Sequence, residues 1–143
     1  MKKSFSILVA VCCLCSCNPF IHGAVRTNNL ERVKEYVAEG HINDRDENFK
    51  HTPLIAATYY GHKPIVEYLC ENGADLDAQA ADGKTALIYA AYYNFADIAE
   101  ILLDHGASVN IKDKDGHTAL YYADSYRFDR IVDLLNQKDA VME

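Results

Sequence analysis

Residues able to do chemistry are few in this chain, and their spacing points away from catalysis. Six histidines (His22, His41, His51, His62, His105, His117) lie scattered without metal-ligand spacing. No Cys-x-x-Cys pattern occurs in the repeats, and no His-Glu-x-x-His, Gly-x-Ser-x-Gly or phosphate-loop pattern occurs in the chain. Asp113-Lys114-Asp115-Gly116 resembles part of a calcium loop, but the preceding acid and the distant bidentate glutamate are missing, so it reads as turn chemistry. No metal, no cofactor and no enzymatic activity are expected. Tyrosine is the concentrated residue: of ten in the chain, eight fall in three short stretches, as Tyr59-Tyr60, Tyr89, Tyr92-Tyr93, Tyr121-Tyr122 and Tyr126. Tyrosine offers large, stiff, amphipathic contact area with little rotamer entropy to lose, which is the chemistry of recognition.

The elements that carry these tyrosines repeat. Thr52-Pro-Leu-Ile-Ala-Ala-Thr-Tyr-Tyr-Gly-His62 returns as Thr85-Ala-Leu-Ile-Tyr-Ala-Ala-Tyr-Tyr-Asn-Phe95 and as Thr118-Ala-Leu-Tyr-Tyr-Ala-Asp-Ser-Tyr-Arg-Phe128, each 33 residues after the last. Gly73-Ala-Asp-Leu-Asp77 and Gly106-Ala-Ser-Val-Asn110 close the internal units, and Asp82-Gly83 and Asp115-Gly116 supply turn chemistry at their tips. The period and the Thr-Pro-Leu-x-x-Ala-Ala pattern resemble the ankyrin repeat family. The resemblance implies an all-α fold, an ankyrin-repeat solenoid of helix-turn-helix units joined by β-hairpin-like loops. Four repeats are expected, at about 18–47, 48–80, 81–113 and 114–143. The family's Thr-Pro-Leu-His histidine is replaced by Ile55, Ile88 and Tyr121, which removes a structural hydrogen bond and no active site.

Column by column, Ile65, Ile98 and Ile131, then Leu69, Leu102 and Leu135, predict one apolar seam between neighbouring second helices. The first repeat is degenerate, with a short helix from Phe20 to Arg26, a turn at Asn28-Asn29, a second helix with apolar Leu30, Val33, Tyr36 and Val37, and Gly40 as its stop. Its finger is atypical, with Phe49-Lys50 in place of Asp-Gly and a tip one residue longer. The last repeat reads as a cap, because Asp124, Arg127 and Asn136-Gln137-Lys138-Asp139 enter positions that are apolar or glycine elsewhere.

By the same resemblance, the concave binding surface is lined by Tyr59, Tyr60, Tyr92, Tyr93, Ser125 and Tyr126. The fingertips around it are Phe49, His51, Asp82, Lys84, Lys114, Asp115 and His117. Tyr60, Tyr93 and Tyr126 recur at the repeat period and form an aromatic strip. The alternative is that these rings lie flat and cover the helix behind them. Tyr89 and Tyr122 stand in a column that packs between helices and are assigned to the core.

Half of the residues are hydrophobic, enough for a sizeable core, and the net charge of −7 makes nucleic acid a poor partner. A protein partner of basic or mixed surface is expected, on the premise that the acidic charge surrounds the aromatic anchors, and the chain is expected to be a monomer. Cys12, Cys13, Cys15 and Cys17 crowd the first seventeen residues, leaving Cys70 alone in the repeats, where it reads as a buried small hydrophobe.

Lys2-Lys3 followed by Phe5 to Val11 has the charged and apolar regions of an export signal, expected over residues 1–16. Leu14-Cys15-Ser16-Cys17 resembles a bacterial lipobox, which implies lipidation of Cys17 and a membrane anchor directly before a domain over 18–143. An ordinary secretion signal and an uncleaved segment are the alternatives. The combined expectation is a non-catalytic protein-binding module of the bacterial cell envelope. An inhibitor or immunity-type protein, a structural tether to cell wall or lipid, and an enzyme or redox-protective protein are the rival readings.

Overall fold

The computed structural model describes residues 19–142; the expected signal segment and Cys17 lie outside them. Eight helices follow one another: α1 (Pro19–Arg26), α2 (Leu30–Ala38), α3 (Pro53–Tyr59), α4 (Lys63–Glu71), α5 (Ala86–Tyr92), α6 (Ala96–Asp104), α7 (Ala119–Ser125) and α8 (Asp129–Met142). They pair as helix hairpins, and no strand occurs among the described residues. First helices α1, α3, α5 and α7 pack successively on one another, and second helices α2, α4, α6 and α8 do the same, which makes a two-layered solenoid.

Local chemistry sets the helix ends. Thr52, Thr85 and Thr118 each cap a first helix, their hydroxyl oxygens accepting the backbone N–H of Ile55, Ile88 and Tyr121 at 3.2–3.3 Å. Second helices stop at Gly40, Gly73 and Gly106, all with positive φ, but Asp139 holds that column in the last repeat and α8 runs on to Met142. The seam expected between repeats is present: Ile65, Ile98, Ile131, Leu69, Leu102 and Leu135 are all buried. Asp124 is exposed where its counterparts Thr58 and Ala91 are buried, because no first helix among the described residues stacks beyond α7.

Three fingers project between the hairpins. Ala80 N–H to Lys84 O and Asp113 N–H to His117 O close the second and third over five residues, whereas Asp46 N–H to His51 O closes the first over six. The extra residue is the lengthening expected from Phe49-Lys50. Finger is tied to finger by Ala81 N–H to Phe49 O at 2.8 Å and Lys114 N–H to Asp82 O at 3.1 Å. Cys70 is buried, and burial pushes its thiol up to about 11, so it is inert at neutral pH. No helix among the described residues is long and apolar enough to cross a membrane.

Candidate functional site

The tyrosines of the first helices divide into two sets. Tyr89 and Tyr122 are buried, as their column predicted. Tyr59, Tyr60, Tyr92, Tyr93 and Tyr126 are all exposed, at 37–48% of their surface. Their continuity differs from the expected strip of Tyr60, Tyr93 and Tyr126, because no direct ring contact joins successive members of that column. Tyr59 bridges instead, meeting Tyr60 at 5.3 Å and Tyr93 at 5.4 Å between centroids, and Tyr92 then meets Tyr93 at 5.0 Å and Tyr126 at 5.7 Å. All four contacts are edge to face, at 80–88°, the favoured geometry for aromatic quadrupoles. The result is a zigzag ladder of five rings across three repeats. Burial and the Tyr59 hydroxyl push the Tyr93 phenol up to about 12, so it stays a neutral donor and acceptor. Ser125, in the Tyr59 and Tyr92 column, is exposed beside the end of the ladder.

At its N-terminal end the ladder forms one wall of a cleft of about 930 Å³, closed by α1 and the first two fingers. Below the rings runs a polar network. The Tyr89 hydroxyl donates to Asp82 Oδ2 at 2.9 Å, and its oxygen accepts from His51 Nε2–H at 3.3 Å. Lys84 Nζ lies 3.1 Å from Asp82 Oδ2 and 3.7 Å from Asp113 Oδ2, and the Tyr122 hydroxyl donates to Asp113 Oδ2 at 2.7 Å. Tyr89 and Tyr122 occupy one column yet use different acids, because Ala80 stands where the last repeat has Asp113. Burial pushes the Asp82 carboxyl upward in pKa, but Lys84 and Tyr89 more than offset it and hold the carboxyl below its ordinary range.

Two expected fingertips are therefore not at the surface. His51 is 9% exposed, covered by Phe49 and Tyr59 and set edge-on to Tyr89; burial lowers its pKa against the pull of Asp46 and Asp82. Lys84 is held inward by its two carboxylates and lies 5.7 Å from the Tyr122 ring centroid. Phe49, at 64% exposure, is an open fingertip, and Lys114 and Asp115 are exposed at theirs, with Asp82 half-buried. His117 is half-buried and stacks parallel on Tyr121, centroids 3.8 Å apart.

Asp113, Asp115 and His117 bring ligand-capable atoms within 4.8 Å of one another. Asp113 is already saturated, however, with Oδ1 accepting the N–H groups of Asp115 and His117 and Oδ2 facing Tyr122 and Lys84. The cluster is a finger brace.

Three site residues escape the repeat reading. Tyr121 is exposed because its column is buried only where another repeat follows. Arg26 lies in the column of Tyr59 and Tyr92, a signal that was available, and lines the cleft with Arg45 of the first finger. The acidic charge surrounds the ladder only in part. Ten carboxylates stand on the second helices, among them Glu31, Glu67, Glu100 and Asp133, away from the ladder and its cleft, while Asp46, Glu47 and Asp82 line the cleft.

Comparison with known proteins follows this geometry. The family model described as ankyrin repeats (3 copies) matches residues 21–113 and 72–142. Ankyrin repeat domain-containing protein 49 of Bos taurus is 42% identical over 57 residues, covering 38% of this chain and 24% of that protein. Protein phosphatase 1 regulatory subunit 27 of Mus musculus is 45% identical over 64 residues, covering 44% of this chain and 41% of that protein. Alpha-latrotoxin-Lh1a of Latrodectus hasselti is 34% identical over 70 residues, covering 49% and 5%. The chain spans less than half the length of each of these relatives, all of which come from animals.

Proposed function

We propose a function from one premise: this chain belongs to the ankyrin repeat family. Ankyrin repeats serve as protein-binding modules, and we read this one as a non-catalytic adaptor that recognises a partner protein through its concave face. The observation that carries the reading is the ladder from Tyr60 to Tyr126, whose rings touch one another yet keep 37–48% of their surface open. Rings lying flat as cover would hide their faces against the helix behind. Tyr93 and Tyr126 do lie nearly parallel to the buried Tyr89 and Tyr122, at 6.4 Å between centroids, but their edge-to-face neighbours Tyr59 and Tyr92 stand across them. The exposed remainder is amphipathic contact area of the kind that anchors binding surfaces. One relative is named as a regulatory subunit of protein phosphatase 1.

The proposal includes a location. Lys2-Lys3, the apolar run after them and Leu14-Cys15-Ser16-Cys17 support export in a bacterial cell and a lipid anchor at Cys17, in the cell envelope. Cys17→Ala is then expected to move the protein from the membrane to the soluble fraction, and unchanged partitioning removes the anchor from the proposal.

Affinity capture from a detergent extract of the source cells tests the binding function. The 143-residue chain and a Tyr60→Ala/Tyr126→Ala variant of unchanged helical signal serve as baits. A protein enriched by the first and lost by the second supports the reading. Identical recovery by both means that the ladder is not the site.

A further inference from the structure

We infer that the cleft beside the ladder takes an extended acidic segment of the partner, with a carboxylate side chain at Arg26 and Arg45 and an aromatic or aliphatic side chain against Tyr59, Tyr60 and Tyr93. This rests on the protein-binding reading above and names the chemistry of the segment that is bound.

The first support is a segregation of free and paired cations. Among the described residues, all five lysines and arginines on second helices are paired with carboxylates: Arg32 with Glu35, Lys34 with Glu31, Lys63 with Glu67, Arg130 with Asp97 and Glu100, and Lys138 with Asp104. Of the seven on first helices, turns and fingers, only Lys84 has an ion pair among the described residues. Acids outnumber cations on both sides of the solenoid, but the cations of the back are all used by ion pairs, whereas six of the seven elsewhere remain without one among the described residues. At physiological salt, charges more than about 8 Å away are largely screened, so a bound segment responds to the near face rather than to the net charge.

The second support is Arg45 itself. Its Nη1 donates to Lys50 O at 3.0 Å and to Gln79 O at 2.6 Å, which fixes the guanidinium between the first and second fingers. Both acceptors are neutral carbonyls, and its other N–H groups meet no protein acceptor among the described residues. A guanidinium held in place with unused donors is prepared for a carboxylate, which it binds in a planar fork. Arg26 lines the same cleft and has no hydrogen-bond partner among the described residues.

The third support is that the acids of the cleft are mostly committed. Asp82 is taken by Lys84 and Tyr89, and Asp46 accepts the Phe49 N–H at 2.7 Å. Glu47 alone stands open against two free guanidiniums. The ladder continues past the cleft to Tyr126, which favours an elongated occupant over a compact one.

The test is selection of a random-peptide phage library on the 143-residue chain, followed by titration of the synthesised winners. Winners are expected to carry Asp or Glu a few residues from an aromatic or leucine. Arg26→Gln and Arg45→Gln are each expected to weaken them at least about tenfold, as loss of one partner of an interfacial charge pair does. Replacing the peptide's acid by its amide should cost the same in the parent and little more in the variants. Arg26→Gln removes no hydrogen bond or ion pair among the described residues, so it remains decisive if Arg45→Gln loosens the fingers. Basic or neutral winners that ignore both arginines but are lost with Tyr60→Ala overturn this inference and leave the protein-binding reading standing. Winners indifferent to Tyr60→Ala as well, or no winners, overturn both.

Discussion

The Tyr122 hydroxyl donates to Asp113 Oδ2 at 2.7 Å and pins the last finger to its own first helix. The acceptor is buried and its other oxygen takes two finger N–H groups, so every lone pair has a use. Tyr122→Phe leaves Oδ2 with Lys84 alone and is expected to cost about 1–3 kcal/mol. Tyr89→Phe removes the matching bond to Asp82, whose side chain is 42% exposed, so water can replace the hydroxyl there; the His51 Nε2 contact it also removes is long, at 3.3 Å, so the cost should be smaller. Urea unfolding of both variants checks this; equal losses would mean that burial of the acceptor does not decide the energy.

Stability should fall toward acid in two stages. His51 has its pKa lowered by burial, so below its ordinary 6.5 the unfolded chain takes up a proton that the folded one resists, and stability declines as pH falls through the folded value. For Asp113, burial acts upward, but Tyr122, the His117 and Asp115 amides and Lys84 outweigh it and hold the carboxyl below 3.8. Asp82 behaves likewise. Their contribution is present above 3.8 and is lost as pH falls through the folded values. Urea midpoints measured across pH should show both stages, and His51→Asn should erase the upper one. An unchanged profile in that variant would show that His51 titrates as it does in the unfolded chain.

Gly83 and Gly116 share a column and a φ of 82°, yet they face different surroundings. A Cβ on Gly83 would lie 2.6 Å from Lys114 N and 3.0 Å from Asp113 C of the next finger, whereas one on Gly116 meets nothing within 4 Å because no finger follows among the described residues. Lys50 holds the same place in the first finger at φ 55°, so the left-handed backbone alone is bearable. Gly116→Ala is expected to cost about 1–2 kcal/mol and Gly83→Ala roughly 2–4, the excess being steric. Similar costs would mean that the fingers can part without loss.

What the sequence made legible was set by its period. A 33-residue repeat aligns Leu69, Leu102 and Leu135 and fixes the seam, and it assigns Tyr89 and Tyr122 inward and Tyr60, Tyr93 and Tyr126 outward. A column says which way a side chain points within its repeat, but not what reaches it from elsewhere in the fold. His51 reads as a fingertip and is buried only because Phe49 and Tyr59 close over it, and Lys84 is drawn inward by Asp113 of the following repeat. The bridging roles of Tyr59 and Tyr92 are likewise relations between columns. Net charge hid its own geography, since the total does not say that the cations of the second helices are paired and most of the others are not.

The ladder rungs should differ in what they contribute to stability. Tyr93 meets Tyr59, Tyr89, Tyr92 and Phe95, whereas Tyr60, at the open end, meets only Tyr59 and His62. Each aromatic pair is worth about 0.5–1.5 kcal/mol beyond the area it hides, so Tyr93→Ala is expected to cost roughly 2–3 kcal/mol and Tyr60→Ala about 1. In a chain of this size that separates the two melting temperatures by several degrees, on the order of 3 °C per kcal/mol. Tyr93→Phe should keep nearly all of the stability, because its ring contacts remain. If Tyr60→Ala proves as costly as Tyr93→Ala, the open end of the ladder is held for packing, and its exposed area loses its claim as a binding surface.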